Sequence, residues 1–230
     1  MKTKRPPSFA QLALTALLTF APLAHAHSVW IEDNSRQQLV IRFGEAGEPF
    51  EKSPGLLDQL AHPHAWKAGP AGKSTAFDIA KKSDHFLLVD AAATEAAFAE
   101  SAWPVYRSEK LPGGAKTAYY LRWIPLAATT ATPDAKPAHV LDLVPTAEAG
   151  VFILIFRGQP LADHAVTVHA PGEKETELKT DAAALVRIPA GKPGVYVIGA
   201  NHREPNANGF AFGQAYERIS HHITTAWRQL

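Results

Sequence analysis

From residue 140 onward the sequence breaks into short apolar runs: Val140-Leu141-Asp142-Leu143-Val144, Val151 through Phe156, Ala165-Val166-Thr167-Val168-His169, then 175–179, 184–188 and 195–201. Most of them are divided by Arg157-Gly158-Gln159-Pro160, Ala170-Pro171-Gly172 or Gly191-Lys192-Pro193-Gly194, residues that turn a chain and stop a helix. Such runs are too short to pack as helices, and at this spacing they predict a β-sandwich of immunoglobulin or transthyretin type. The first half reads similarly. Residues 29–31 and 38–43 predict a hairpin before Gly44, 75–79 and 84–90 a further strand pair, and 117–124 an aromatic strand whose rings serve packing. Residues 50–72 are mostly loop, with a helical turn at 56–60, and alanine-rich 91–102 predicts a surface helix ended by Trp103-Pro104. Residues 125–137 hold Ala, Thr and Pro and almost no large apolar group, the composition of a linker. The expected fold is all-β, with two β-sandwich domains at 27–124 and 138–230.

The beginning of the chain sets its compartment. Lys2, Lys4 and Arg5 precede an apolar run through Leu12, Leu14, Leu17, Leu18 and Phe20, and Ala24-His25-Ala26 fits the small-x-small pattern of a signal peptidase. Residues 1–26 therefore read as a secretory signal peptide, and the exported chain is expected to start at His27. Cleavage after Ala24 would instead expose His25-Ala26-His27, a frame suited to Cu(II) or Ni(II), but it puts Pro22 where a small residue is wanted. Loss of three cations and no acid turns the formal charge of +1 into −2. No basic stripe with interleaved aromatics points to nucleic acid, and no other apolar segment approaches membrane length.

With no cysteine, an exported chain must live on its core, and thiolate metal sites, thiol nucleophiles and disulfides are excluded. A metal would have to take His, Asp, Glu or the terminus. An N-terminal His27 offers an amine and an imidazole that can close a chelate ring on one ion, although an exported chain can also begin with any residue its peptidase tolerates. His202 lies where the 195–201 strand runs out, and His221-His222 sits on the return strand, where neighbours point to opposite faces. The candidate metal residues are thus His27, His202, His221 and His222, with Glu32, Asp33 and Glu204 as outer carboxylates. Taken singly, His202 also reads as a strand-end surface residue and His221-His222 as a polar hairpin edge. His62-Pro63-His64 is a second pair, equally readable as a solvated loop. No G-x-S-x-G, H-E-x-x-H or phosphate-binding loop is present, so hydrolase chemistry is not indicated.

The phrases G-Q-P-L-A-D-H-A-V-T-V, L-K-T-D-A-A-A-L-V-R-I-P and P-G-V-Y-V-I-G-A-N-H, with the A-H-A-H-S-V-W-I-E start and the late A-Y-E-R-I-S-H-H-I-T-T, resemble the periplasmic family called domain of unknown function 4198. The match is strongest at 27–32 and 151–225. Ser28 and Val29 stand where family members often carry an acid and then Phe. The resemblance implies a periplasmic component of nickel or cobalt uptake; together with the candidate nitrogens, which suit Cu(II), Ni(II) or Zn(II), the expectation is a periplasmic protein that binds nickel, copper or cobalt and serves an inner-membrane metal uptake transporter. Two other expectations stand beside it: a metal-free sandwich module that binds a protein or glycan, and a copper-dependent oxidative enzyme, for which a flat aromatic surface is lacking.

Overall fold

The computed structural model describes residues 27–68, 73–125, 136–189 and 191–230. The expected signal peptide and most of the expected linker, 126–135, lie outside the described residues. Within them strand is the dominant structure, joined by turns and loops, with one 3₁₀ turn at Leu56–Asp58 and no α-helix. None is long and apolar enough to cross a membrane.

An eight-stranded sheet forms the middle layer. Its order is β13 (Thr176–Lys179), β12 (Ala165–His169), β15 (Gly194–Glu204), β18 (Arg218–Gln229), β8 (Leu111–Ile124), β7 (Ala97–Ser108), β3 (His64–Ala68) and β4 (Ser74–Ala76). Every neighbouring pair is antiparallel except β18 and β8, which run parallel in unbroken register from Arg218↔Ala115 to Trp227↔Ile124. This seam joins strands from before and after the expected linker into one sheet. A parallel pair needs a long crossover connection, and here the whole of the chain between Ile124 and Arg218 supplies it.

Each face of that sheet carries a smaller one. On one side lie β1 (Ser28–Asp33), β2 (Gln38–Gly44), β6 (Phe86–Ala92) and β5 (Ile79–Lys81). On the other lie β9 (Leu141–Pro145), β10 (Val151–Phe156), β11 (Gln159–Pro160) and β14 (Leu185–Arg187). Side chains alternate along a strand, so the middle sheet feeds two cores. Tyr119, Leu121, Trp123, Val197 and Ala226 pack with Trp30, Ile41, Phe43 and Phe86, whereas Tyr120, Ile124, Ile198, Ile223 and Trp227 pack with Leu143, Phe152 and Leu154. Two adjacent threonines fasten the layers: Thr224 Oγ1 donates to the Val29 carbonyl at 2.7 Å and Thr225 Oγ1 to the Leu143 carbonyl at 3.0 Å.

The stretch expected as a helix, 91–102, is instead the end of β6, a turn and the start of β7. Ala97 and Ala99 are fully buried against the first core, and β7 runs along β8 from Ala97↔Trp123. Alanine's helix propensity is a fraction of a kcal/mol per residue, and a full ladder beside an aromatic strand outweighs it. Trp103-Pro104 marks an irregularity in the pairing of β7 rather than an end. Residues 64–68, expected within a loop, form β3. The hairpin at the start is present as β1 and β2, and the return strand that carries His221 and His222 runs from Arg218 to Gln229.

Arg122 and Asp142 tie the middle sheet to the second outer one. Asp142 is 0% exposed and accepts from Arg122 Nε at 3.1 Å and Nη2 at 2.5 Å, and from the Ala138 amide at 2.7 Å. Removing one partner strands the other charge in the core. Asp142→Ala is expected to cost about 3–5 kcal/mol, and the paired change Arg122→Met with Asp142→Leu clearly less. Urea unfolding of both proteins checks this; equal losses would mean that the stranded charge is not the cause.

Candidate metal centre

The alternation that builds two cores also divides the four candidate histidines. His221 and His222 are neighbours on β18 and lie on opposite faces. His222 lines an open cleft of about 260 Å³ with His27, Phe43, Leu56, Trp103, Thr117 and Tyr119. His221 lies on the other face, its ring stacked with Tyr120 and set edge-on to Phe156. A single centre made of His27, His202, His221 and His222 therefore does not fit this fold. The expected set separates into two pairs.

The first pair is positioned by the contact between β1 and β18. Val29 and Thr224 are joined by a hydrogen bond; His222 lies two residues before Thr224 on β18, a step that returns its side chain to the same face, and His27 lies two residues before Val29, just ahead of β1. His27 packs on Phe43 with ring centres 5.4 Å apart, and its Nε2 meets Glu51 Oε1 at 2.5 Å. Glu51 is itself placed by its amide, which donates to the Phe43 carbonyl at 3.0 Å. With Nε2 engaged, Nδ1 is the free imidazole nitrogen of His27. It is also the one that closes a six-membered ring with the amine of its own residue.

His222 is arranged in the same way. Its Nε2 lies 2.9 Å from Ser220 Oγ, and the tautomer that donates from Nε2 leaves a lone pair on Nδ1. Its ring leans on Tyr119 with centres 5.4 Å apart. Burial, helped by Arg203 and His221, brings its pKa down to about 4, so the imidazole is neutral at pH 7 and has no proton for a cation to displace. Burial also pushes the Tyr119 phenol up to about 12, so that wall of the cleft is uncharged.

The second pair is His202 and His221, directly opposite each other on β15 and β18. His202 packs on Phe156, ring centres 4.2 Å apart, and lies beside His164 at 5.8 Å. Burial lowers the pKa of His202, and the neighbouring His164 and His221 add to the effect. The nitrogens of His221 are committed: Nδ1 lies 2.9 Å from the Tyr120 hydroxyl and Nε2 2.8 Å from Glu204, which is also held by Arg157. His164 uses Nε2 on the Asn201 carbonyl at 2.7 Å. Among the described residues, no three His, Asp or Glu side chains are grouped so as to hold a metal ion. Of the two pairs, only the one with His27 gains a further nitrogen, the His27 amine that cleavage after Ala26 would free.

Of the three carboxylates expected to orient imidazoles, Glu204 does so. Glu32 takes Arg42 and the Trp30 indole, and Asp33 takes Arg228. His62 and His64 separate, the first edge-on to Phe86 and the second stacked on Trp66. Glu51 and Tyr119 escaped the sequence reading because neither stands near a histidine along the chain. Ser220 had a signal: two residues before His222 on one strand, it had to share its face.

No protein-family model and no curated protein matches this chain.

The neutral His222 gives a testable acid response. The unfolded chain takes that proton near pH 6.5 and the folded one only near pH 4, so stability is full above 6.5 and declines as pH falls through this window. His221 and His202, also lowered, act in the same direction. A His222→Gln variant is expected to lose less stability than the parent between pH 7 and pH 4.5, as read from urea midpoints. Equal losses would show that His222 is not protonated on unfolding.

Proposed function

We infer that this chain is an exported, periplasmic transition-metal-binding protein, two sandwich units built on a shared sheet, that supports metal uptake or delivery. The observation that carries the reading is that His27 and His222, nearly 200 positions apart in sequence, line one cleft with a free Nδ1 on each. The residues present suit a small borderline cation. The His27 amine and Nδ1, with Nδ1 of His222, would supply three neutral nitrogens, a set that favours Cu(II) and Ni(II) over Co(II) by the usual affinity order. Glu51 would orient the His27 ring and raise its basicity, as carboxylates behind metal-bound imidazoles do. The role of the protein is to bind and hold: Phe43, Tyr119 and Trp103 wall the cleft, and its mouth stays open to an acceptor such as an inner-membrane uptake transporter.

Titration calorimetry with Cu(II), Ni(II) and Co(II) tests the reading on exported protein whose start is verified as His27 by mass spectrometry. One ion per chain is expected, with tight binding lost when one residue precedes His27 or when His222 becomes Ala. Glu51→Gln should weaken binding about 10- to 100-fold, and His202→Ala should leave it unchanged. Equal binding with and without the extra residue would move the site to the internal histidines. No binding by either form would favour a metal-free module with a protein or glycan partner.

A further inference from the structure

Strands β15 and β18 are antiparallel neighbours ending at Glu204↔Ile219, yet thirteen residues join them, and part of this excursion folds into a second small hairpin, β16 (Gly209–Ala211) with β17 (Gln214–Tyr216). The hairpin is braced. Arg107 donates to the carbonyls of Pro112 and Ala215 at 2.7 and 2.6 Å, and the Glu217 amide to that of Gly114 at 3.2 Å, so it is locked to the turn between β7 and β8. Tyr216 folds back over Gly209, where an added Cβ would collide with its ring and hydroxyl.

Against that fixed base, two phenylalanines point outward. Phe210 is 73% exposed and Phe212, at the tip with φ of 50°, is 49% exposed. Tyr106 on the adjoining edge of β7 is 57% exposed. Large exposed apolar side chains among the described residues are few; Phe210 and Phe212 share this hairpin, and Tyr106 pairs with Ala115, itself opposite Arg218 where β18 leaves the hairpin, so the three lie at the same end of the middle sheet. Such a patch signals a contact with something outside the chain.

The charges around it identify that partner. Arg107, Lys110, Lys116, Arg203 and Arg218 stand at this end against Glu109, Glu204 and Glu217, and Glu204 is already held by Arg157 and His221. Cations therefore collect here in a chain that is formally −2 from His27 onward. Exposed rings ringed by guanidinium and ammonium groups match the boundary of an anionic bilayer, where phosphates meet the cations and acyl chains receive the rings.

We propose that the β16–β17 hairpin is a membrane-docking finger: Phe210 and Phe212 enter the interface of an anionic bilayer while Arg203, Arg218 and Lys110 meet its phosphate headgroups. The parallel strands β8 and β18 both start at this end, and His222 and Tyr119 lie four residues along them from Arg218 and Ala115. At a strand's rise that is about 13 Å. Docking would thus hold the His27–His222 cleft close to the membrane surface, although the argument for the finger rests on the hairpin alone and its test needs no metal.

Sedimentation of the exported protein, processed to His27, with vesicles of phosphatidylglycerol and phosphatidylethanolamine tests this beside vesicles of phosphatidylcholine. Binding to the anionic vesicles is expected, falling about tenfold for Phe210→Ser and further for Phe210→Ser with Phe212→Ser, since each ring loses its apolar transfer. Arg218→Glu should weaken binding and added salt should do the same. Both phenylalanines are solvent-facing, so unchanged thermal unfolding of the variants confirms intact folds. No sedimentation with either vesicle overturns the proposal and leaves the finger to a protein partner; so does binding that the double variant keeps. Equal binding to neutral vesicles overturns the role of the cations.

Discussion

The structure depends on one strand being buried on both faces. β18 pairs in parallel with β8 and antiparallel with β15, and its successive residues look alternately into two cores. Thr224 and Thr225 show this in one step, the first bonded to β1 and the second to β9. From Ile223 to Trp227 the strand has almost no solvent face, and polar residues on either side of that stretch carry partners: His221 has Tyr120 and Glu204, and Arg228 has Asp33. The same reasoning explains Arg122 on β8. In the second core it is neutralised by Asp142, which is wholly buried, and stacks over Phe98 at 4.7 Å. Buried charge is tolerated where every donor and acceptor is used.

The candidate centre is a consequence of layering. His27 immediately precedes the first strand and His222 lies on the last. They share a cleft because β1 packs on β18 and because Glu51 and Ser220 each hold one nitrogen of the two rings. The opposite face holds a different polar group. There His221 is tied to a phenol and a carboxylate, a structural commitment that leaves its nitrogens occupied. Two adjacent histidines thus serve unlike purposes, one facing an open cleft and the other closing a hydrogen-bonded network.

Strand content was legible in the sequence to a large degree, because period-two runs bounded by Gly and Pro have few other solutions. Where the reading failed, tertiary pairing overrode a local signal. The alanines at 97 and 99 are good helix formers, yet small side chains are what a strand needs where two sheets approach closely, and Trp66 and Phe98 stack across β3 and β7 at 6.0 Å. The small strand β3 lay hidden because Pro63, Gly69 and Pro70 around it spoke for loop. For the site, the pattern of alternation already required His221 and His222 to face apart; which of them would meet His27 depended on which sheet covered which face.

By itself, the sequence determined the all-β character, the turn positions and the splitting of His221 from His222, since all three follow from the two-residue repeat of a strand and from the backbone limits of Gly and Pro. Only the tertiary structure decided that β8 and β18 pair in parallel, that two outer sheets share one middle sheet, and that Glu51, Tyr119 and Ser220 surround the His27–His222 cleft. These are contacts between segments far apart along the chain. Their selection rests on how well two apolar faces fit each other when both are buried, and no local pattern encodes that fit.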